Sequence, residues 1–266
     1  MKGHLHLTVG TDVNGATYLR EQSFRAPLHL SKPHEDAGAL VVNMVNPTAG
    51  LFDGDEIDCK VTVETGAHLV LTTPSANRVY KARQADRAAV VTQSYRIKAG
   101  GFMEFYPELL IPQAGARYHQ RTELRVEVGG LLLFFEWLAP GRVASGEVFQ
   151  FEELVWDTDV YFADRLVARE RYVIDPTNES MEVLKQAYPQ SHYLGCFLLG
   201  DFIFPTAAIE ALQTEDLYLG HGPLARGGWT IKALCKDGLT TRKLMKTIRA
   251  VVYAALDKPL PTLGRF

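Results

Sequence analysis

The chain has only three cysteines, Cys59, Cys196 and Cys235, odd in number, far apart and without a Cys-x-x-Cys. That excludes the disulfide framework of a small secreted domain and the usual zinc or dithiol motifs. No apolar run approaches the ~20 residues of a membrane span. The start, Met1-Lys2-Gly3-His4-Leu5-His6, lacks the apolar stretch of an export signal. Basic residues do not outnumber acidic ones, 28 against 31, so nothing points to nucleic acid. A reduced, cytoplasmic protein is the expectation. At 266 residues, 47% of them hydrophobic, it is long enough to bury a full core.

Catalytic signatures are missing too. There is no Gly-x-Ser-x-Gly, and Ser145-Gly146-Glu147 is only superficially like a nucleophile turn. No glycine-rich loop precedes Lys-Ser/Thr, which leaves nucleotide binding unsupported. The eight histidines include no His-Glu-x-x-His. His4 and His6 stand two apart, compatible with a weak shared metal or with the polar face of a strand. The acidic run Asp53-Gly54-Asp55-Glu56-Ile57-Asp58 has Glu64 at its twelfth position. A calcium loop nonetheless needs an oxygen ligand where Ile57 stands and a glycine where Asp58 stands. An Asp-Gly turn entering a strand accounts for most of it.

What is present is a recurring pattern: apolar alternation, a turn pair, more alternation. It runs through Leu7 to Leu19 around Asn14-Gly15, Val61 to Leu71 around Gly66, and Tyr95 to Phe105 around Gly100. It continues in Leu124 to Phe134 around Gly129 and in Val160 to Val167 around Ala163-Asp164. Alternation marks half-buried strands. The glycines supply the positive φ of a tight hairpin turn, and the ~30-residue spacing suggests stacked β layers. The fold class is therefore mainly β: a β-helix-like stack of hairpin layers over residues 1–175, with mixed strand and helix over 176–266, read together as one domain.

After Asp175 short helices are expected at Asn178–Ala187 and Thr206–Leu212, strands at Tyr193–Phe204 and Trp229–Cys235, and a glycine-rich loop at Gly220–Gly228. The clearest helix opens at Thr241 and runs to about Leu256, with Leu244, Met245, Ile248, Val251, Val252 and Ala255 on one stripe. Arg242, Lys243, Lys246 and Arg249 lie off it, a solvated face or a docking face for an acidic partner.

Three groups of polar residues are candidates for a site. Glu136 follows the apolar run Leu131–Phe135, and Glu147 lies in a mixed segment with Arg142. An ionised Glu in such surroundings needs a partner, and Arg142 is the natural one. The three residues are expected to form one cluster, either an ion pair joining two layers or a polar lining. Thr72, Thr73 and Ser75 crowd hydroxyls around Pro74, where strand pairing ends. Cys59 continues the alternation Ile57, Cys59, Val61, Val63 and is expected to pack as a small hydrophobe.

The order of certain motifs is more specific. Asn46-Pro47, then Gly50-Leu51-Phe52-Asp53-Gly54-Asp55, precede Gly66-Ala67 and Leu71-Thr72-Thr73-Pro74-Ser75-Ala76-Asn77-Arg78-Val79-Tyr80. Met103-Glu104-Phe105-Tyr106-Pro107-Glu108, Ile111-Pro112 and Gly115-Ala116 follow. Then come Phe135-Glu136, Gly141–Phe149 and Glu170-Arg171. Over residues 8–175 this resembles the urease accessory protein family UreD, also called UreH. The later part matches more loosely, through Arg226-Gly227-Gly228-Trp229 and the final helix. Ala49 and Asp53 stand where the family usually has glycines.

The resemblance implies a non-enzymatic metallochaperone scaffold that binds apo-urease and UreF, and through UreF the GTPase UreG. It implies that nickel(II) passes through the protein in transit, with no cofactor held tightly. Asp55, Thr72, Thr73, Ser75, Glu136, Arg142 and Glu147 are the candidate lining, and Asp55, Glu136 and Glu147 the candidate weak metal donors. Without a cluster of imidazoles or thiolates, nickel is expected to bind no tighter than roughly micromolar. The competing reading is a β-solenoid carbohydrate-active enzyme with Glu136 and Glu147 as acid and base.

Overall fold

The strands form where alternation places them. In the computed structural model, which describes residues 1–48, 50–84, 87–187 and 191–263, the chain shuttles between two sheets. β1 (Lys2–Thr11) and β2 (Thr17–Arg25) open the first sheet as a hairpin. β3 (His29–Leu30), β4 (His34–Asp36) and β5 (Ala39–Val45) open the second. After the short β6 (Gly50–Leu51), β7 (Glu56–Val63) returns to the first sheet and β8 (His68–Thr72) to the second. Two further rounds follow, with β9 (Asn77–Val79) ahead of them. β10 (Ala89–Ile97) leads to β11 (Phe102–Tyr106), and, past β12 (Leu110–Pro112), β13 (Arg117–Val126) leads to β14 (Leu131–Leu138). β15 (Glu153–Phe162) and β16 (Arg165–Ile174) finish the first sheet as a second hairpin. Then come α1 (Glu179–Ala187), β17 (His192–Leu199), α2 (Thr206–Glu210), β18 (Leu217–Pro223), β19 (Gly228–Cys235) and α3 (Gly238–Ala255). Ala49 lies outside the described residues.

The first sheet has the order β16-β15-β13-β10-β7-β1-β2, and its five strands β1, β7, β10, β13 and β15 are mutually parallel. The second follows β18-β19-β17-β14-β11-β8-β5-β3, parallel from β5 to β14 and antiparallel beyond.

This topology corrects the hairpin reading of the three glycine turns. Gly66, Gly100 and Gly129 do have positive φ, at 78°, 75° and 81°. The strands they join, β7 to β8, β10 to β11 and β13 to β14, lie in different sheets and do not pair. A two-residue turn can only return a strand antiparallel to itself, so a parallel ladder requires the chain to leave the sheet. The turns stack on one another instead: Gly100 N–H donates to Gly129 O (2.9 Å), and Leu131 N–H to Gly101 O (2.9 Å). True hairpins occur at Asn14-Gly15 and Ala163-Asp164.

The inner faces of the two sheets enclose one core, with Val61, Tyr95, Leu124 and Val160 facing Phe105, Phe134 and Phe197. A second core lies on the outer face of the second sheet, where Leu133, Phe135, Cys196 and Leu198 meet Leu244, Met245, Ile248 and Val252 of α3. Burial on both faces explains why β14 is a continuous apolar run.

α3 starts three residues before the expected Thr241, because the Asp237 carboxylate accepts the Thr240 N–H (2.7 Å) and caps it. Leu217–Pro223, expected partly as loop, is an edge strand against β19. Arg249 is the larger correction. It is not on a solvated face but 5% exposed, its Nε bonded to Glu104 of β11, which is fully buried, and its Nη1 to Pro261 O (2.6 Å). Tyr253 donates to the other Glu104 oxygen (2.7 Å). This ion pair joins helix to sheet.

Val at Gly66 or Gly129 must adopt a positive φ that a β-branched residue strains to reach. Each change should lower stability by about 1–3 kcal/mol in thermal unfolding; unchanged melting of both would refute the turn geometry. Arg249→Met should cost about 3–5 kcal/mol, since it strands the Glu104 charge, and Glu104→Gln combined with Arg249→Met should recover much of it. Additive losses in that double-mutant cycle would show the pair is not coupled.

Candidate functional site

Parallel pairing in register places equivalent residues of successive strands side by side. In the first sheet Cys59 pairs with Gln93, Gln93 with Thr122, Thr122 with Thr158, and Thr158 with Glu170. The result is a polar row across five strands on the face that points into the core. The neighbouring row, Ile57, Val91, Gln120, Trp156 and Tyr172, is polar at its far end. Opposite them the second sheet aligns Glu136, Gly195 and Lys232. A polar layer thus lies between two apolar ones.

Glu136 sits at its centre, 3% exposed. Trp156 Nε1 (2.8 Å), Thr158 Oγ1 (3.1 Å) and Gln120 Nε2 (3.5 Å) all donate to its Oε1. Among the described residues none of these bonds goes to Oε2. Tyr118 Oη donates to Gln120 Oε1 (2.7 Å), and Tyr95 Oη to Gln93 Oε1 (2.7 Å). Burial pushes the Glu136 carboxyl up to about 7, against the pull of Trp156 and with the nearby Glu170 charge adding to the rise. Burial also pushes the Cys59 thiol up to about 12, so it offers no thiolate at neutral pH.

A cavity of about 100 Å³ opens beside Glu136, lined by Cys59, Gln93, Gln120 and Trp156. It extends to Asn46, Thr73, Asn77 and Glu108 at one end of the sandwich. On the other side Tyr193, two residues before Gly195 on β17, places its hydroxyl 3.5 Å from that of Tyr172. A Cβ at Gly195 would lie 2.9 Å from the Tyr193 hydroxyl, so the glycine keeps that place open. Tyr172 donates to Glu170 Oε2 (2.8 Å), and Lys232 Nζ lies 2.7 Å from Glu170 Oε1.

Of the expected site residues, Thr73 and Glu136 share this cavity. Thr73 Oγ1 accepts the Glu108 N–H (2.7 Å). Thr72 is fully buried, and its hydroxyl donates to Tyr106 O (2.6 Å). Ser75 is exposed. Asp55 accepts the Phe52 N–H (2.9 Å) and the Met1 amine (2.5 Å), closing its own loop.

Arg142 does pair with Glu147, whose carboxylate also accepts the Ala114 N–H (3.0 Å). The guanidinium, with that N–H, holds the Glu147 carboxyl below its usual range. The expectation of one cluster fails at Glu136, which takes its partners from the first sheet rather than from the nearby loop. Glu147 does not line the cavity beside Glu136, and its carboxylate is engaged by Arg142 and the Ala114 N–H, so nothing in this arrangement favours a glycosidase carboxylate pair. Among the described residues no group of three or more His, Cys, Asp or Glu is arranged to hold a metal ion, and no helix is long and apolar enough to cross a membrane.

The sequence reading missed Gln93, Gln120, Thr122, Thr158, Glu170 and Lys232. One signal was available. Cys59, Gln93 and Thr122 each stand seven residues before a turn glycine, at Gly66, Gly100 and Gly129, so aligning the turns aligns the row.

The titration of Glu136 has a sign that can be tested. Its folded-state value lies above the ordinary 4.5, so the stability linked to its proton is full below about pH 4.5 and is lost as pH rises through about 7. Glu136→Gln keeps an acceptor and removes the charge. In urea titrations it should match the parent protein near pH 5 and exceed it by up to about 3 kcal/mol near pH 8. A difference independent of pH would place the titration elsewhere.

Comparison with known proteins agrees with one family. The family model described as UreD urease accessory protein matches residues 1–264. The protein named Urease accessory protein UreD from Opitutus terrae is 36% identical over 266 residues, covering 96% of each chain. One of the same name from Mycolicibacterium gilvum is 33% identical over 216 residues, 79% of this chain and 75% of that protein. Another, from Acetivibrio thermocellus, is 26% identical over 246 residues, 90% and 93% of the two chains.

Proposed function

The chain belongs to the UreD family of urease accessory proteins, and from that premise we propose that it acts in urease maturation as a non-catalytic scaffold that conducts nickel(II) toward the urease active site. In this reading it binds apo-urease and UreF in the cytoplasm, and meets UreG through UreF. The observation that carries the conduit is the polar layer between the sheets, with Glu136 at its middle and Oε2 outside the donor set.

Transit asks for donors that hold a cation briefly. Carboxylate, amide and hydroxyl oxygens do this for nickel, whereas convergent imidazoles or thiolates would retain it. The polar layer offers Glu136, Gln93, Gln120, Thr122 and Thr158, and the Cys59 thiol beside them stays protonated. A carboxyl that titrates near neutral pH exchanges a cation for a proton readily. The charged form binds the metal, so transfer should improve as pH rises through about 7.

Coexpression with the urease subunits and the accessory partners tests the reading. Glu136→Gln and Glu136→Leu should still be recovered with the subunits in pull-downs. Urease activation should fall about 10- to 100-fold, the loss typical when a supporting group is removed from a metal site. Nickel should bind the purified chain no tighter than roughly micromolar by calorimetry. Full activation by Glu136→Leu, or a nanomolar site of His or Cys ligands seen by X-ray absorption, would overturn the conduit.

A further inference from the structure

Both ends of the polar layer share one arrangement. At one end Glu108, its side chain 9% exposed, lines the cavity, and Arg242 Nη2 of α3 lies 2.8 Å from its Oε2. The Arg242 guanidinium also sits 5.7 Å over the Trp137 ring, another cavity wall. At the other end Glu170, 10% exposed, carries Lys232 of β19 at 2.7 Å, and Lys232 also donates to Tyr172 Oη (2.8 Å). The two carboxylates are nearly buried; the two cations are not, at 47% and 41% exposed. Each carboxylate comes from the β core and each cation from the C-terminal elements.

We propose that Arg242 and Lys232 are displaceable cationic plugs, each occupying the carboxylate at one end of the passage, and that a divalent metal cation enters or leaves by taking the plug's place. The proposal rests on the conduit reading and names the residues that gate it. A half-exposed basic side chain gives up its ion pair at little cost, because water solvates the released charge and surface pairs are weak. A nearly buried carboxylate favours a cation beside it, and either the plug or the metal can supply that charge. The plugs are monovalent, and exchange for a dication adds one positive charge at the carboxylate. No covalent step is involved.

The test uses the purified chain with nickel chloride and magnesium chloride in titration calorimetry. Arg242→Gln and Lys232→Gln should each raise nickel affinity roughly tenfold, the scale of removing one charge a few ångströms from the site in water-like surroundings. Arg242→Lys and Lys232→Arg should leave it near the parent value. Adding Glu108→Gln to the first variant, or Glu170→Gln to the second, should erase the gain, which a merely structural role would not do. Arg242→Met, which keeps a stem over Trp137, serves if Arg242→Gln unfolds.

Unchanged affinity in the neutral variants, or a gain that survives loss of the paired carboxylate, overturns the plugs. Failure of the conduit itself would appear separately, as full urease activation by Glu136→Leu whatever the binding results.

Discussion

In-register parallel pairing of the first sheet is the constraint on which the rest depends. It aligns Cys59, Gln93, Thr122, Thr158 and Glu170 into one row although they are scattered over more than a hundred residues. Antiparallel hairpins alternate two pair geometries and return the chain within the same sheet. A chain that leaves the sheet at each glycine turn repeats the same face at the same height. The turn stack over Gly66, Gly100 and Gly129 sets that height, and the apolar rows beyond it, such as Val61, Tyr95 and Leu124, seal the polar one.

The C-terminal third completes the polar layer. β17 supplies Gly195 and Tyr193, β19 supplies Lys232, and α3 carries Arg242 to the opposite end. α3 is fastened by the buried Glu104–Arg249 pair and by a cap at Asp237. Its position, and with it that of Arg242, is therefore set by packing against the second sheet. Membership of the UreD family, over residues 1–264, covers both parts.

Much of the fold was legible in the sequence because alternation and turn glycines are local signals. The strands, the α3 stripe and the positive φ of the three glycines follow from them. The sheet to which each strand belongs does not, since a glycine turn looks alike whether the chain folds back or crosses over. Of the candidate lining residues named from the sequence, Glu136 and Thr73 border the cavity. Proximity along the chain made Arg142 the partner of Glu136, whereas register gave it Gln120, Trp156 and Thr158. Arg249 read as surface because its helix neighbours are basic; its buried partner lies on β11, far away in sequence.

The shared spacing between row and turn has a consequence for how such a chain can change. Side chains alternate faces with a period of two, so losing one residue between Gln93 and Gly100 would turn Gln93 outward and bring a neighbour inward. A length change on the other side of the glycine leaves the row untouched. Relatives should therefore keep the interval from row to glycine fixed while the segments joining β11 to β13 and β14 to β15 vary in length. The interior chemistry is in effect counted off from the turns, and the loops remain free to grow.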